Sequence, residues 1–308
     1  MTTRFYFHPV CIEHEPSPNH PESPARLTTI AEVLADPEFD ALDRQTPPEA
    51  AREHLVRVHP ADYVERVFAL VPDEGYGRID ADTIVSPRSG DAALRAAGAI
   101  VDAVDSVMTG AADSAFCAMR PPGHHAESTQ GMGFCLFNSV AVGAEHARVA
   151  HGAERVAVMD FDVHHGNGTQ AMFWNEPGLF YASTHQWPLY PGTGDKSETG
   201  AHGNIANAPL WPGAGSEDFR TAMRDVVLPA MRNFGPDLVM ISAGFDGHRR
   251  DPLAQLELEV EDFAWATDEL RKLADTACGG RLVSTLEGGY DLQALGDSAA
   301  AHVRTLMG

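Results

Sequence analysis

In the stretch MDFDVHHGNG, Asp160, Asp162 and His164 recur with a period of two. In extended backbone that spacing projects all three side chains to one side, while Phe161 and Val163 face the other. Two carboxylates and an imidazole gathered at one strand end cost desolvation energy unless a cation compensates them. Taken alone, the stretch reads equally as a capping and salt-bridge cluster. Asp246, in SAGFDGH, adds an acid at the end of a separate apolar run. Asp162, His164 and Asp246 then make three oxygen and nitrogen ligands. A tetrahedral Zn²⁺ held by three ligands keeps one position open for water or substrate. The same ligand types admit Fe²⁺ in the cell.

A zinc with two carboxylate ligands acidifies water less than one held by three histidines, so a separate general base is useful. RPPGHHAEST offers His124 and His125, after two prolines that fix φ and a glycine that frees it. Adjacent side chains in extended backbone point opposite ways, so the plain alternative is a surface loop. Beside three metal-competent residues, the better reading is a turn that aims both rings at a water on the metal. EGGYD adds a phenol, with Gly288 and Gly289 allowing close backbone approach. Opposite a Lewis-acidic ion, Tyr290 can donate to the oxyanion of a tetrahedral intermediate. Alone, it would read as an ordinary interface tyrosine.

The elements that must hold these residues are apolar runs alternating with helical patterns. Strands are expected at Arg4–Phe7, Ala115–Met119, Val156–Phe161, Leu179–Ser183, Leu238–Ser242 and Leu282–Leu286. Helices are expected at Asp91–Met108, Ser139–Ala150, Glu217–Asn233 and Glu261–Thr276. Near-continuous apolar strands alternating with helices predict a doubly wound α/β fold around a parallel sheet. No repeat or linker divides the chain, so residues 1–308 are expected to form one domain. PPGHH, DFDVHH, AGFDGH and EGGY each follow a different strand, at the sheet edge where open α/β folds bind ligands.

Composition narrows the partners. A formal charge of −22 argues against nucleic acid, whose phosphates require Lys and Arg. It suits a cationic substrate steered by a negative field, and equally an acidic surface kept for solubility. The apolar stretches fall short of a membrane span. MTTRFYFHPVCIEHEP has no apolar core of signal-peptide length, so the cytoplasm is the expected location. Cys11, Cys117, Cys135 and Cys278 form no CxxC pair; Cys11, Cys117 and Cys135 sit in apolar surroundings, so buried thiols in a reducing compartment are expected.

PPGHH, GFCLFNSVAVGA, DFDVHHGNGTQ, LYPGTG, SAGFDGHRRDPL and LEGGY occur in this order along essentially the whole chain. In this ordered set the chain resembles the histone deacetylase family, in its bacterial branch similar to class II. The resemblance implies an arginase-like α/β fold with about eight parallel strands and zinc-dependent hydrolysis of acylated amines. It implies that Asp162, His164 and Asp246 ligate zinc, that His125 is the general base and acid, and that Tyr290 polarises the substrate carbonyl. Asp160 would orient His124. It would also join a structural K⁺ site with Ser183 and the backbone carbonyls of Asp162, His164 and Thr184. Phe134 and Tyr190 would wall an acyl-lysine tunnel, and the Gly133 carbonyl would accept from the scissile amide. Asn167 stands where class I members have an aspartate partner for the second histidine; as a neutral group it raises that histidine's basicity less.

Three other functions compete with this one. A binuclear manganese ureohydrolase needs a carboxylate two positions past the histidine, where this chain has Gly166. A silent acyl-lysine or polyamine binding protein would not need Tyr290, both histidines and three ligands together. An acetylpolyamine amidohydrolase uses the same motifs, which do not report the substrate. By resemblance Leu253 sits at the pocket rim, where polyamine-selective relatives place an acid, so acyl-lysine is expected over an acylated small amine. Homo-oligomerisation is left open. His8, His54, His59, His146, His151 and His302 show no partners in the sequence, and His165 should point away from the metal.

Overall fold

The structure, a computed structural model, describes residues 2–308. In chain order the strands are β1 (Thr3–Tyr6), β2 (Asp43–Gln45), β3 (Gly77–Arg78), β4 (Ile84–Val85), β5 (Ser114–Cys117), β6 (Val156–Asp160), β7 (Leu179–Gln186), β8 (Ile205–Leu210), β9 (Leu238–Ala243) and β10 (Leu282–Leu286). Eight of them form one sheet in the order β2-β1-β5-β10-β9-β6-β7-β8, and every pairing in it is parallel. β3 and β4 form a separate antiparallel pair.

The helices are α1 (Pro24–Val33), α2 (Arg52–Leu55), α3 (Ala61–Leu70), α4 (Ser89–Met108), α5 (Ser139–His151), α6 (Asn167–Phe173), α7 (Ser216–Ala222), α8 (Leu228–Phe234), α9 (Val260–Cys278) and α10 (Leu292–Met307). α4 packs on α5, while α10 packs on both α9 and α1. Every residue of β5, β6, β9 and β10 is buried, as expected of parallel strands covered on both faces.

All six expected strands are present. β2 and β8 were not expected, and they close the two ends of the sheet. β2 reads DRQ and is only half-buried, while β8 carries Asn207 and Pro209 inside its run. Proline is tolerated on an edge strand because one side of the ladder is open. The helix expected over Glu217–Asn233 is present but not uniform. Met223–Val227 winds as a π-helical stretch between α7 and α8. Pro229 has no N–H to return to the preceding turn, and the hydrogen-bond pattern widens just before it.

The strand order has a direct consequence for chemistry. β5, β10, β9 and β6 are consecutive neighbours at the sheet centre. Their C-terminal ends carry PPGHH, EGGY, AGFDGH and DFDVHH, so the four motifs open into one crevice.

Candidate active site

Asp162 and His164 lie just past β6, and Asp246 lies just past β9. His164 Nδ1 is 3.2 Å from Asp162 Oδ1 and 3.0 Å from Asp246 Oδ2. One ligand atom from each residue falls within 4.8 Å of the others, and all three residues are buried. Burial pushes the Asp246 carboxyl up to about 7, and the nearby Asp162 carboxylate adds to the rise. Burial disfavours charge on His164, but its hydrogen bonds to the two carboxylates outweigh this and raise it to about 10. The three groups therefore stabilise positive charge at one point, which is what a divalent cation supplies. The donor set and its crowding fit a metal. A Cβ on Gly244 would collide with Asp162, and one on Gly288 would collide with Asp246.

The tandem histidines sit beside this triad with their rings 4.0 Å apart. His124 Nδ1 donates to Asp160 Oδ2 at 3.0 Å, and the Tyr181 hydroxyl donates to the same oxygen. Burial disfavours the His124 cation, yet Asp160 and Asp162 together hold its pKa well above the usual range. His125 is shifted the other way, by burial first and then by the rings of His124 and His164. His125 Nδ1 is 2.9 Å from Asn167 Oδ1. The amide orientation is assigned from the network: Asn167 Nδ2 donates to Glu127 Oε1 at 2.8 Å. Oδ1 therefore accepts from His125 Nδ1, and Nε2 is left without the proton.

A cavity of about 200 Å³ is lined by Asp82, His125, Gly133, Phe134, His164, Leu189, Tyr190, Leu253 and Tyr290. It unites the base candidate, a candidate metal ligand, the phenol and two aromatic side chains. Tyr190 is 40% exposed, whereas His125 is 4% exposed, so the cavity runs from the surface to a buried end. Gly133 (φ 55°) and Phe134 (φ 70°) both have left-handed backbone. A Cβ on Gly133 would strike the His125 ring, so glycine is required there. Asp251 accepts from Tyr290 N at 2.6 Å and from Leu253 N at 3.0 Å, holding two lining residues at once.

Several supporting residues were missed in the sequence. Glu287, the acid of EGGY, accepts from the backbone N–H of Gly123 at 2.7 Å and of His124 at 3.2 Å, and from Ser242 Oγ at 3.1 Å. Behind it, Arg26 donates to the Gly289 carbonyl at 2.6 Å and to Glu22 at 3.0 Å. Arg120 also pairs with Glu22. This fully buried ion cluster ties the tandem-histidine turn to the EGGY loop. The one available signal was an acid or arginine inside an otherwise apolar motif. Asp82 lies in the β3–β4 turn, where no periodicity marks it.

Five of the six histidines without partners in the sequence have them in the structure, and His54 Nδ1 does not. His59 donates to Ser128 O and accepts from Asn138 N, and His302 bonds Thr267 and Ser284. His8 Nδ1 accepts from Val10 N, and both His146 and His151 meet Asp105. His165 does point away from the triad, to Thr193 and Gln170. The four cysteines are free and buried. No helix among the described residues is long and apolar enough to cross a membrane.

Known proteins resemble this chain over nearly all of its length. A model of the histone deacetylase domain matches residues 20–306. A histone deacetylase-like amidohydrolase of Pseudomonas aeruginosa is 39% identical over 94% of this chain and 81% of its own. A probable deacetylase of Archaeoglobus fulgidus is 37% identical over 95% of this chain and 82% of its own. The crystal structure of the HDA15 HD domain superposes with a TM-score of 0.93 at 36% identity, covering 99% of this chain and 88% of that one. The chain is thus a hydrolase and belongs to the histone deacetylase family of amidohydrolases.

Proposed function

We propose that the protein removes acetyl or other acyl groups from lysine side chains in proteins or peptides. The observation that carries this reading is the single cavity in which His125, His164 and Tyr290 meet Phe134 and Tyr190. Asp162, His164 and Asp246 would hold one Zn²⁺. A divalent ion there supplies Lewis acidity toward the acyl carbonyl and the attacking water. Phe134 and Tyr190 flank the alkyl stem, and the Gly133 carbonyl accepts from the scissile amide N–H. His125 Nε2 takes a proton from the attacking water and returns one to the departing amine. His124, paired with Asp160, keeps its proton and presents positive charge. Tyr290 donates its hydroxyl proton in a hydrogen bond to the developing oxyanion.

We also assign a structural K⁺ to Asp160, Ser183 and the carbonyls of Asp162, His164 and Thr184. Asp160 and Ser183 are register partners on β6 and β7, and the buried Thr184 hydroxyl has no hydrogen-bond partner. The free cysteines suit a reducing compartment, and the cytoplasm is the location inferred.

A second reading, an acetylpolyamine amidohydrolase, is favoured by one observation. Asp82 lines the cavity together with Leu253, so an acid is present to meet a second ammonium. Comparing kcat/KM for an acetyl-lysine peptide and acetylspermidine decides between the two. Preference for the peptide supports the first reading; preference for acetylspermidine, abolished in Asp82→Asn, supports the second. In Leu253→Glu the ratio should move toward the polyamine, since a charged hydrogen bond contributes about 1.5–3 kcal/mol.

A further inference from the structure

α4 and α5 run away from the pocket, and their C-terminal ends precede the N-terminal ends of β5 and β6. There, at the far edge of the sheet, three ligand atoms converge. Asp105 Oδ1 accepts from His146 Nε2 at 2.7 Å and from His151 Nε2 at 2.6 Å. These atoms lie within 4.8 Å of one another, as do those of the Asp162, His164 and Asp246 triad. His146 is buried, while Asp105 and His151 are half-buried, so the cluster opens to solvent on one side. A further imidazole stands close by. The His54 ring on α2 is 5.3 Å from that of His146, and its Nδ1 is buried without a hydrogen-bond partner.

We propose that Asp105, His146 and His151 form a second metal site, separate from the pocket, for a divalent transition ion of the Zn²⁺ type. Two imidazoles and one carboxylate select Zn²⁺, Ni²⁺ or Cu²⁺ over Mg²⁺ and Ca²⁺, which prefer oxygen. His54 stands beside His146 outside this set of three, and water can complete the shell from the open side. An ion there staples α4 to α5 without touching the pocket.

Arg57 competes with the ion. Its Nη1 is 2.7 Å from His146 Nδ1 and can only donate, so Nδ1 accepts and Nε2 carries the proton that faces Asp105. Binding at Nε2 shifts that proton to Nδ1, leaving the ring neutral, and Arg57 loses its acceptor. The half-buried Arg57 side chain then turns outward. Removing Arg57 therefore favours the ion twice, by freeing Nδ1 and by removing a positive charge.

The test is Zn²⁺ titration of the chelator-stripped full chain, with bound metal counted by elemental analysis after gel filtration. The wild type should retain two equivalents, and His151→Ala and Asp246→Asn one each. His151→Ala should keep wild-type turnover, and Zn²⁺ should raise its Tm less than that of the wild type. Arg57→Ala should bind the second equivalent with a lower Kd. Mg²⁺ should not compete for it. A count in His151→Ala equal to that of the wild type would overturn the proposal and leave a hydrogen-bonded triad only. A failure of the pocket to hold zinc shows separately, as an equivalent count in Asp246→Asn equal to that of the wild type.

Discussion

His124 and His125 are neighbours in the chain with opposite charge preferences: Asp160 and Asp162 favour the His124 cation, whereas burial and the rings of His124 and His164 disfavour that of His125. Only His125 lines the cavity, and its unprotonated Nε2 is the group able to accept a proton there. Tyr290→Phe removes one oxyanion donor and should lower kcat roughly 100- to 1,000-fold while leaving metal and substrate binding intact. Steady-state kinetics with metal analysis checks this; a near-normal kcat would remove Tyr290 from the transition state. His125→Ala should be at least as damaging. A mild His125→Ala beside an inactive His124→Ala would reverse the roles assigned to the pair.

At the scale of elements, the loops after β5, β6, β9 and β10 are held by residues that bind one another rather than substrate. Glu287 on the β10 loop caps the backbone of the histidine turn after β5. Glu287→Ala would orphan two buried N–H groups, each costing about 1–3 kcal/mol. Urea unfolding should show that loss together with a fall in kcat; unchanged stability and kcat would mean the turn holds itself. Gly133→Ala should be worse for turnover than for stability, because the added methyl displaces the His125 ring. The sequence shows each motif following a strand, but not that the four strands are neighbours, since that adjacency is a property of the crossovers. It shows Asp162, His164 and Asp246 by type and spacing. It hides Glu287, whose partner Gly123 lies 164 residues away, and Asp82, which sits in a short turn. β2 and β8 escape notice because edge strands need neither an apolar run nor freedom from proline.

Across the whole molecule, the core holds histidines that stay neutral. Burial lowers His302 to about 3, with both ring nitrogens bonded to Thr267 and Ser284. The unfolded chain takes up a proton at this position from its ordinary pKa downward, and the native chain does not. Its contribution to stability is therefore complete above about pH 6.5 and declines on acidification by about 1.4 kcal/mol per pH unit. His302→Asn should flatten the pH dependence of the unfolding free energy by that amount between pH 6 and 4; an unchanged slope would show that His302 is protonated in the fold. The proposed hydrolysis of an acylated amine rests on one metal at Asp162, His164 and Asp246 working with His125 and Tyr290. Acetate release from an acetyl-lysine peptide, followed in chelator-stripped protein as Zn²⁺ is returned, tests it most directly. No release is expected without metal, with full recovery in the wild type and in His151→Ala, but none in Asp246→Asn. Undiminished acetate release after complete removal of metal, or full recovery in Asp246→Asn, would contradict it.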